Sequence, residues 1–254
     1  KKDKSEPVWS YNLRKNSWRE YAETPLPDRV KHLWKYTDPD NFLIESKTAE
    51  SGHSSEETPA SYEGTMLKEG YAGFGYNKPD FSTIALLNPS MIEAGVIFVD
   101  LATALTKYAD LTGNHLGHLI NGKFGKFEAV NTALWNTGIF LYIPDDIVID
   151  EPILFNRMTG DGDTLHRLLV ITGRNAGATI IDEYAAGEGE PSSRVNSVVE
   201  IFAGDASVIH YAGLQRLPED GNFYLTQRAR LEREAKYYAT FGGLGGKISK
   251  INTG

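Results

Sequence analysis

The spacing of hydrophobic residues predicts that the first part of the chain is built of short helices. Residues 7–45 combine aromatic residues with apolar positions at helical intervals. After Pro27, which suits the first turn of a helix, Val30, Leu33 and Trp34 recur at i, i+3 and i+4. Side chains at this spacing share one face of a helix. We therefore expect an amphipathic helix here that packs through that face.

A second helical pattern begins at Asp100, whose carboxylate suits the position that caps a helix N-terminus. The apolar residues after it keep a helical spacing. They are Leu101, Ala104, Leu105, Tyr108 and Leu111. A further short helix is predicted over residues 126–136, "KFEAVNTALWN". Both helices lie in a mixed segment that leads into the second part of the chain.

The pattern changes after residue 137, where short apolar runs replace the helical spacing. The runs are rich in β-branched and aromatic residues and are separated by Gly, Asp, Asn or Pro, as is typical of β-strands. They are "GIFLYIP", "DIVIDEPILF", "HRLLVIT", "ATIIDEYA", "SVVEIFA", "ASVIHYAG", "NFYLTQRARLE" and "AKYYATF". No helix-length segment separates them, which argues against a doubly wound α/β fold.

A repeat of nearly constant length links these strands. "AGATII" begins at position 176 and "GDASVI" at 204, and in the same way "ASVIHY" begins at 206 and "AKYYAT" at 235. A repeat of about 28 residues, made of strands and tight corners, is typical of a solenoid whose coils stack on one another. An ordinary β-sandwich with strands of similar length is the alternative that the pattern leaves open.

These patterns divide the chain into four parts. We predict an N-terminal helical region over 1–45, a flexible linker over 46–61, the mixed segment over 62–136 and a mainly β core over 137–254. The linker, "SKTAESGHSSEETPAS", is polar and lacks periodicity. A length of 254 residues with 41% hydrophobic content is enough to bury a substantial core.

Composition narrows the classes of partner. A formal net charge of −8 with scattered basic residues disfavours nucleic acid and anionic membrane surfaces. No apolar run approaches the roughly 20 residues of a membrane helix. The opening "KKDKSEPVWS" lacks the apolar centre of a signal peptide. Because the chain has no cysteine, disulfides and thiolate metal sites are excluded. We expect a soluble cytoplasmic protein.

The glycine-rich stretch "FGGLGGKISK", residues 241–250, superficially suggests a phosphate-binding loop. Phe241 stands where the first glycine of a P-loop is required, and Ile248 stands where Ser or Thr would hold magnesium. A dinucleotide loop would also need glycine at position 248. An extended pattern follows, so no helix N-terminus is available to meet an anion. We interpret the glycines as a tight chain reversal between strands.

Several polar residues are candidates for metal binding. His115 and His118 stand three apart in "NHLGHL", but no third ligand is evident, and a structural helix end is favoured. Asp161 and Asp163 are spaced like part of a calcium loop whose other ligand positions are missing, which favours a solvated turn. His210 lies in a predicted strand and is more typical of a satisfied or surface histidine than of a ligand.

Catalytic chemistry is equally weakly indicated. The acidic run "DEYAAGEGE", residues 182–190, is more typical of a solvated loop than of a cation site, and no Gly-x-Ser-x-Gly motif supports a nucleophilic triad. A β-helical enzyme that acts on acidic polysaccharides is an alternative, although such enzymes are mostly secreted. Its candidate residues are Asp182, Glu183, Glu200 and Arg228. We predict that the chain is not an enzyme and has no catalytic, cofactor-binding or metal-binding residue.

Four long segments resemble the SufB/SufD family of the SUF iron–sulfur cluster assembly machinery. They are "PLPDRVKHLWKYTDP" (25–39), "GVIFVDLATALTKYADLTGNHLG" (95–117), "KFEAVNTALWNTGIFLYIPDDIVIDEPI" (126–153) and "FGGLGGKISKINTG" (241–254). They occur in the family's order, and the resemblance covers nearly the whole chain. The third segment is the most specific, and its "NTALWNTGIFLYIP" is more similar to SufD than to SufB. "SEPVW" near the start has some SufB character.

The resemblance implies a flattened right-handed parallel β-helix preceded by a small N-terminal helical region. It also implies a scaffold subunit that pairs with a SufB-type protein and a SufC ATPase, or with itself. A SufB-type paralogue is the alternative. An iron–sulfur cluster is expected only transiently, in the full complex. Family members continue through further coils and a helical region that binds SufC, so we expect this chain to lack that C-terminal part. The family's cluster-linked residues have no match here.

Overall fold

The stacked coils of a mainly β solenoid, about four turns long, form the centre of the computed structural model. The structure describes residues 6–30, 32–44, 70–159, 162–186 and 194–254. The predicted linker, residues 46–61, lies outside the described residues.

Helices occupy the first half of the described chain. The α-helices are α1 (Val8–Glu23), α2 (Pro89–Glu93), α3 (Leu101–Lys107), α4 (Ala109–Gly113) and α5 (Lys126–Leu134), and 3-10 turns cover His32–Trp34 and Pro39–Phe42. Among the residues that the structure describes, no helix is long and apolar enough to cross a membrane.

Strands extend from residue 73 to residue 253. They are β1 (Gly73–Asn77), β2 (Thr83–Leu87), β3 (Ile97–Asp100), β4 (Thr137–Ile143), β5 (Ile153–Thr159), β6 (Thr164–Thr172), β7 (Gly177–Ala186), β8 (Arg194–Ala203), β9 (Val208–Arg216), β10 (Asn222–Leu231), β11 (Lys236–Gly243) and β12 (Ile248–Thr253).

These strands form two six-stranded sheets that face each other. Sheet A has the order β11-β9-β7-β5-β1-β2, and sheet B has the order β12-β10-β8-β6-β4-β3. From β4 onward the chain alternates between the sheets, so each strand pairs in parallel with the strand two places along the sequence. Only β2 and β3, at one end of the described stack, pair antiparallel. This topology confirms the predicted solenoid and excludes the β-sandwich.

The predicted repeat is confirmed, but one of its pairings is wrong. Lys236 pairs with Val208, within one position of the predicted alignment. Val208, however, pairs with Gly177, three positions away from the predicted alignment. The connection between β7 and β8 contains the seven residues 187–193, whereas β9 and β10 are joined by the five residues 217–221. These two extra residues, together with one more residue in β7 than in β9, account for the three-position shift.

Apolar side chains from both sheets meet inside the coils and form the core. Leu168 on β6 pairs with Val199 on β8, and Ile180 on β7 pairs with Tyr211 on β9. All four residues belong to one buried cluster that runs along the solenoid. Stacking like residues in register removes apolar area from water in every coil, which is the main stabilising contribution to such a fold.

The predicted helix after Asp100 is confirmed with one interruption. The Asp100 carboxylate accepts a hydrogen bond from the Thr103 amide at 2.8 Å and so caps α3. The backbone leaves the helical region at Tyr108, with φ −127° and ψ 44°, and divides the segment into α3 and α4. The helix predicted over 126–136 is also confirmed, as α5.

The amphipathic helix predicted around residue 30 is wrong. Val30 and Leu33 are 86% and 71% exposed, and only Trp34 of the three is buried. Trp34 stacks on Tyr224 of β10 with ring centroids 6.1 Å apart, and the Lys250 ammonium on β12 donates to the Leu33 carbonyl at 2.6 Å. Tertiary contacts with sheet B therefore set the conformation of this segment and override its local helical spacing.

Candidate functional site

A column of polar side chains runs through one half of the solenoid interior. Asn77, Arg157, Tyr184 and Gln215 occupy paired positions on β1, β5, β7 and β9, so they follow one another along sheet A. The four side chains are almost completely buried. Burying polar side chains costs free energy unless they form hydrogen bonds with one another. The chemistry open to this column therefore depends on which of its members are already paired.

Asp182, two positions before Tyr184 on β7, connects members of this column through hydrogen bonds. Its Oδ1 atom accepts a hydrogen bond from Arg157 Nε, and its Oδ2 atom accepts from the hydroxyls of Tyr184 at 2.9 Å and Tyr211 at 2.6 Å. Arg157 Nη1 also donates to Asn77 Oδ1 at 3.3 Å. Burial, with the nearby Asp182 charge, raises the pKa of both tyrosines, which keeps their hydroxyls protonated as donors. The single interior carboxylate among these residues is thus fully engaged.

His166 faces the column from sheet B. Its Nδ1 atom lies 3.3 Å from the Thr137 hydroxyl, and its ring meets the Tyr184 ring edge-on at 5.7 Å. Burial, and then the nearby Arg157 charge, lowers the pKa of His166 well below its usual value. The imidazole is therefore neutral at neutral pH.

A second buried cluster joins the loop after α4 to the outer face of sheet B. The Glu200 carboxylate accepts from the amides of Gly117, Leu119 and Ile120 at 2.9, 2.9 and 3.1 Å. Arg167 Nη2 donates to the same carboxylate at 2.6 Å. The Glu200 carboxylate thus supplies the hydrogen-bond acceptors that these three loop amides do not find in the backbone. Glu200 and Arg167 form what we call the loop clamp, which joins residues 117–120 to β6 and β8.

The four residues proposed for polysaccharide chemistry are not brought together. Asp182 points into the interior, whereas Glu183 lies on the outer face of sheet A and pairs with Arg216. Glu200 lies in the loop clamp on sheet B, and Arg228 bonds to the last strand, β12, through Asn252. A glycosidase needs two carboxyl groups that flank one bond in an open cleft. This arrangement does not provide them.

The histidine pair and the isolated histidine occupy separate places. His115 and His118 both line a surface cavity of about 320 Å³ between the helical region and sheet B. His115 Nδ1 lies 2.7 Å from the Leu111 carbonyl, and its ring stands edge-on to Phe202. His210 is exposed on sheet A and stacks on Tyr238. In the described part of the chain, no three His, Asp or Glu side chains form a group that could hold a metal ion.

The calcium-like pair is only partly described. Asp161 lies outside the described residues, as does the end of the acidic run from residue 187. Asp163 is buried, its carboxylate lies 3.7 Å from Arg194, and its carbonyl accepts from Asn136 Nδ2 at 3.2 Å. The predicted solvated turn is therefore wrong at Asp163, which is buried and ion-paired just before β6.

The glycine-rich stretch forms the predicted chain reversal between β11 and β12. Gly246 adopts φ +83°, a conformation that favours glycine. The amides of Gly246 and Lys247 donate to the carbonyls of Leu217 and Gly221, at 3.0 and 2.7 Å, in the preceding coil. These two amides are therefore not available to a phosphate group.

The sequence patterns above did not predict the two buried arginines, Arg157 and Arg167. Arg157 interrupts the run "ILFNRMT" and Arg167 interrupts "HRLLVIT". A charged residue in the middle of a strongly apolar strand is the indication that could have revealed them, because such a residue must face solvent or a buried partner.

Comparison with known families covers most of the chain. Residues 80–155 match the model described as "SufBD protein N-terminal region", and residues 156–254 match "SUF system FeS cluster assembly, SufBD core domain". The boundary between the two matches falls within β5.

Curated proteins give the same result. An iron–sulfur cluster assembly SufBD family protein of Staphylococcus saprophyticus is 24% identical over 257 residues, which cover 97% of this chain and 55% of the relative. Another of Staphylococcus aureus strain MRSA252 is 23% identical over 256 residues, with the same coverage. The chain thus spans about half the length of the curated relatives it matches. The solenoid, the two adjoining family matches and these relatives agree: the chain belongs to the SufBD family of iron–sulfur cluster assembly proteins.

Proposed function

We propose that this chain is a SufD-like scaffold subunit of a SUF complex, with no catalytic activity of its own. In this role it pairs with a SufB-type protein and works beside a SufC-type ATPase. The similarity of "NTALWNTGIFLYIP" to SufD supports this assignment over a SufB-type paralogue. Membership of the SufBD family supports a place in iron–sulfur cluster assembly.

The chemistry of the polar groups is the observation that carries the proposal. The 254 residues contain no cysteine, and clusters are held mainly by cysteine thiolates. The interior carboxylate, Asp182, accepts hydrogen bonds from Arg157 and two tyrosines, and Glu200 accepts from Arg167 and three backbone amides. This stretch thus has a structural role, and the cluster ligands are expected either in the remainder of the full-length chain or on a partner.

Co-purification of the full-length protein tests the proposal. We expect tagged protein, co-expressed with SufB-type and SufC-type partners, to retain both in a fixed ratio on size-exclusion chromatography with light scattering. Recovery of a homodimer that retains neither partner would contradict it. If the protein supports cluster formation with SufC alone, and no SufB-type protein is present, it is the SufB-type paralogue instead.

A further inference from the structure

His166 lacks a hydrogen-bond acceptor at one of its two ring nitrogens. The ring is completely buried, and Nε2 has no hydrogen-bond partner among the described residues. Nδ1 has one neighbour, the hydroxyl of Thr137, which can donate to a neutral ring. A protonated ring would need acceptors at both nitrogens, and the structure provides a hydroxyl at one of them.

The groups that face His166 also disfavour a positive charge. Sheet A places five titratable or charged groups in this half of the interior: Arg157 on β5, Asp182 and Tyr184 on β7, Tyr211 on β9 and Tyr237 on β11. The strands beside β6 contribute only the hydroxyls of Thr137 on β4 and Ser197 on β8. Asp182 already accepts from Arg157 and both tyrosines. A proton on His166 would therefore add a second cation to a site with one engaged carboxylate.

We propose that His166 is an acid-sensitive element of the solenoid: the fold excludes a proton that the unfolded chain accepts, so mild acid weakens the scaffold through this one ring. This inference does not depend on the proposed function. The stability of the solenoid would then depend on pH in a range where most carboxylates are still ionised.

The sign and size of the effect follow from linkage. The pKa of His166 is lowered in the folded state, whereas in the unfolded chain it returns to about 6.5. The contribution of neutral His166 is thus complete above about pH 6.5 and is lost as the pH falls below that value. Between pH 7.5 and 5.5, uptake of one proton by the unfolded chain lowers the folding equilibrium constant about tenfold.

Denaturant unfolding at pH 7.5 and 5.5 tests the proposal, with wild type, His166→Gln and His210→Gln compared. The exposed His210 is the matched control. Between pH 7.5 and 5.5, we expect the folding constant of wild type to fall by a factor about ten times larger than that of His166→Gln. The folding constant of His210→Gln should fall as much as that of wild type. Equal pH dependence in wild type and His166→Gln would overturn the proposal.

A second measurement serves if His166→Gln does not fold. The imidazole NMR signals of His166 in the wild-type protein should keep their neutral chemical shifts from pH 7.5 to 5.5. A ring that titrates near pH 6.5 in the folded protein would equally overturn the proposal.

Discussion

Replacing Asp182 by asparagine should destabilise the protein far more than the same change at the next residue. Asp182→Asn keeps the size of the side chain and removes the charge that Arg157 Nε and two tyrosine hydroxyls contact. Arg157 and Asp182 are both completely buried. Removing one partner of a buried pair costs about 3–5 kcal/mol, because the other charge stays buried without compensation. That is a large part of the ~5–15 kcal/mol that holds a typical domain folded.

Glu183→Gln is the matched control, because Glu183 pairs on the outer face with Arg216, whose side chain is 52% exposed. The Glu183 side chain is 14% exposed, but the Arg216 guanidinium stands in water, and such a pair contributes about 0–1 kcal/mol. Urea unfolding at pH 7.5, followed by tryptophan fluorescence, measures both variants. We expect the midpoint to fall by about 1 M or more for Asp182→Asn and to change little for Glu183→Gln. Equal losses of stability in the two variants would contradict the assignment of Asp182 to a buried ion pair with Arg157.

Two further pairs of substitutions test how the N-terminal region packs against the rest of the protein. In Gly122→Ala, the new Cβ atom would lie 2.7 Å from the Cα atom of Ser17 in α1, so the helix must shift at a cost of about 1–3 kcal/mol. Gly113→Ala is the control, because the nearest atom to its new Cβ is 3.5 Å away, and it should change the urea midpoint little. Trp34→Ala should cost about 3–5 kcal/mol in the same assay because Trp34 is buried, whereas the exposed Val30→Ala should stay within about 0.5 kcal/mol. Equal effects within either pair would contradict the packing described here.

The strands and their stacking were predictable because their pattern is local. Runs of β-branched and aromatic residues marked β4 to β11, and their regular repeat indicated stacked coils. The register of one coil was not predictable in this way, because its three additional residues, two between β7 and β8 and one in β7, leave the strand pattern uninterrupted. The cap at Asp100 was predictable for the same reason as the strands, because a side chain and an amide three residues away determine it.

The polar interior was less predictable because it depends on contacts between distant residues. Arg157 and Asp182 lie 25 residues apart, and each alone resembles an ordinary surface charge within a strand. Glu200 bonds to amides about 80 residues earlier in the chain. Trp34 likewise finds its partners on β10. Local spacing identifies which residues can be buried, whereas the pairing of buried polar groups is settled only when the coils stack.

The most direct test of the scaffold proposal is anaerobic cluster reconstitution with SufB-type and SufC-type partners, with the full-length protein present or left out. Iron and acid-labile sulfide bound per SufB-type subunit are the quantities to measure. We expect both to fall severalfold when this subunit is omitted, and to recover when it is added back. Equal yields with and without the subunit would contradict the proposal.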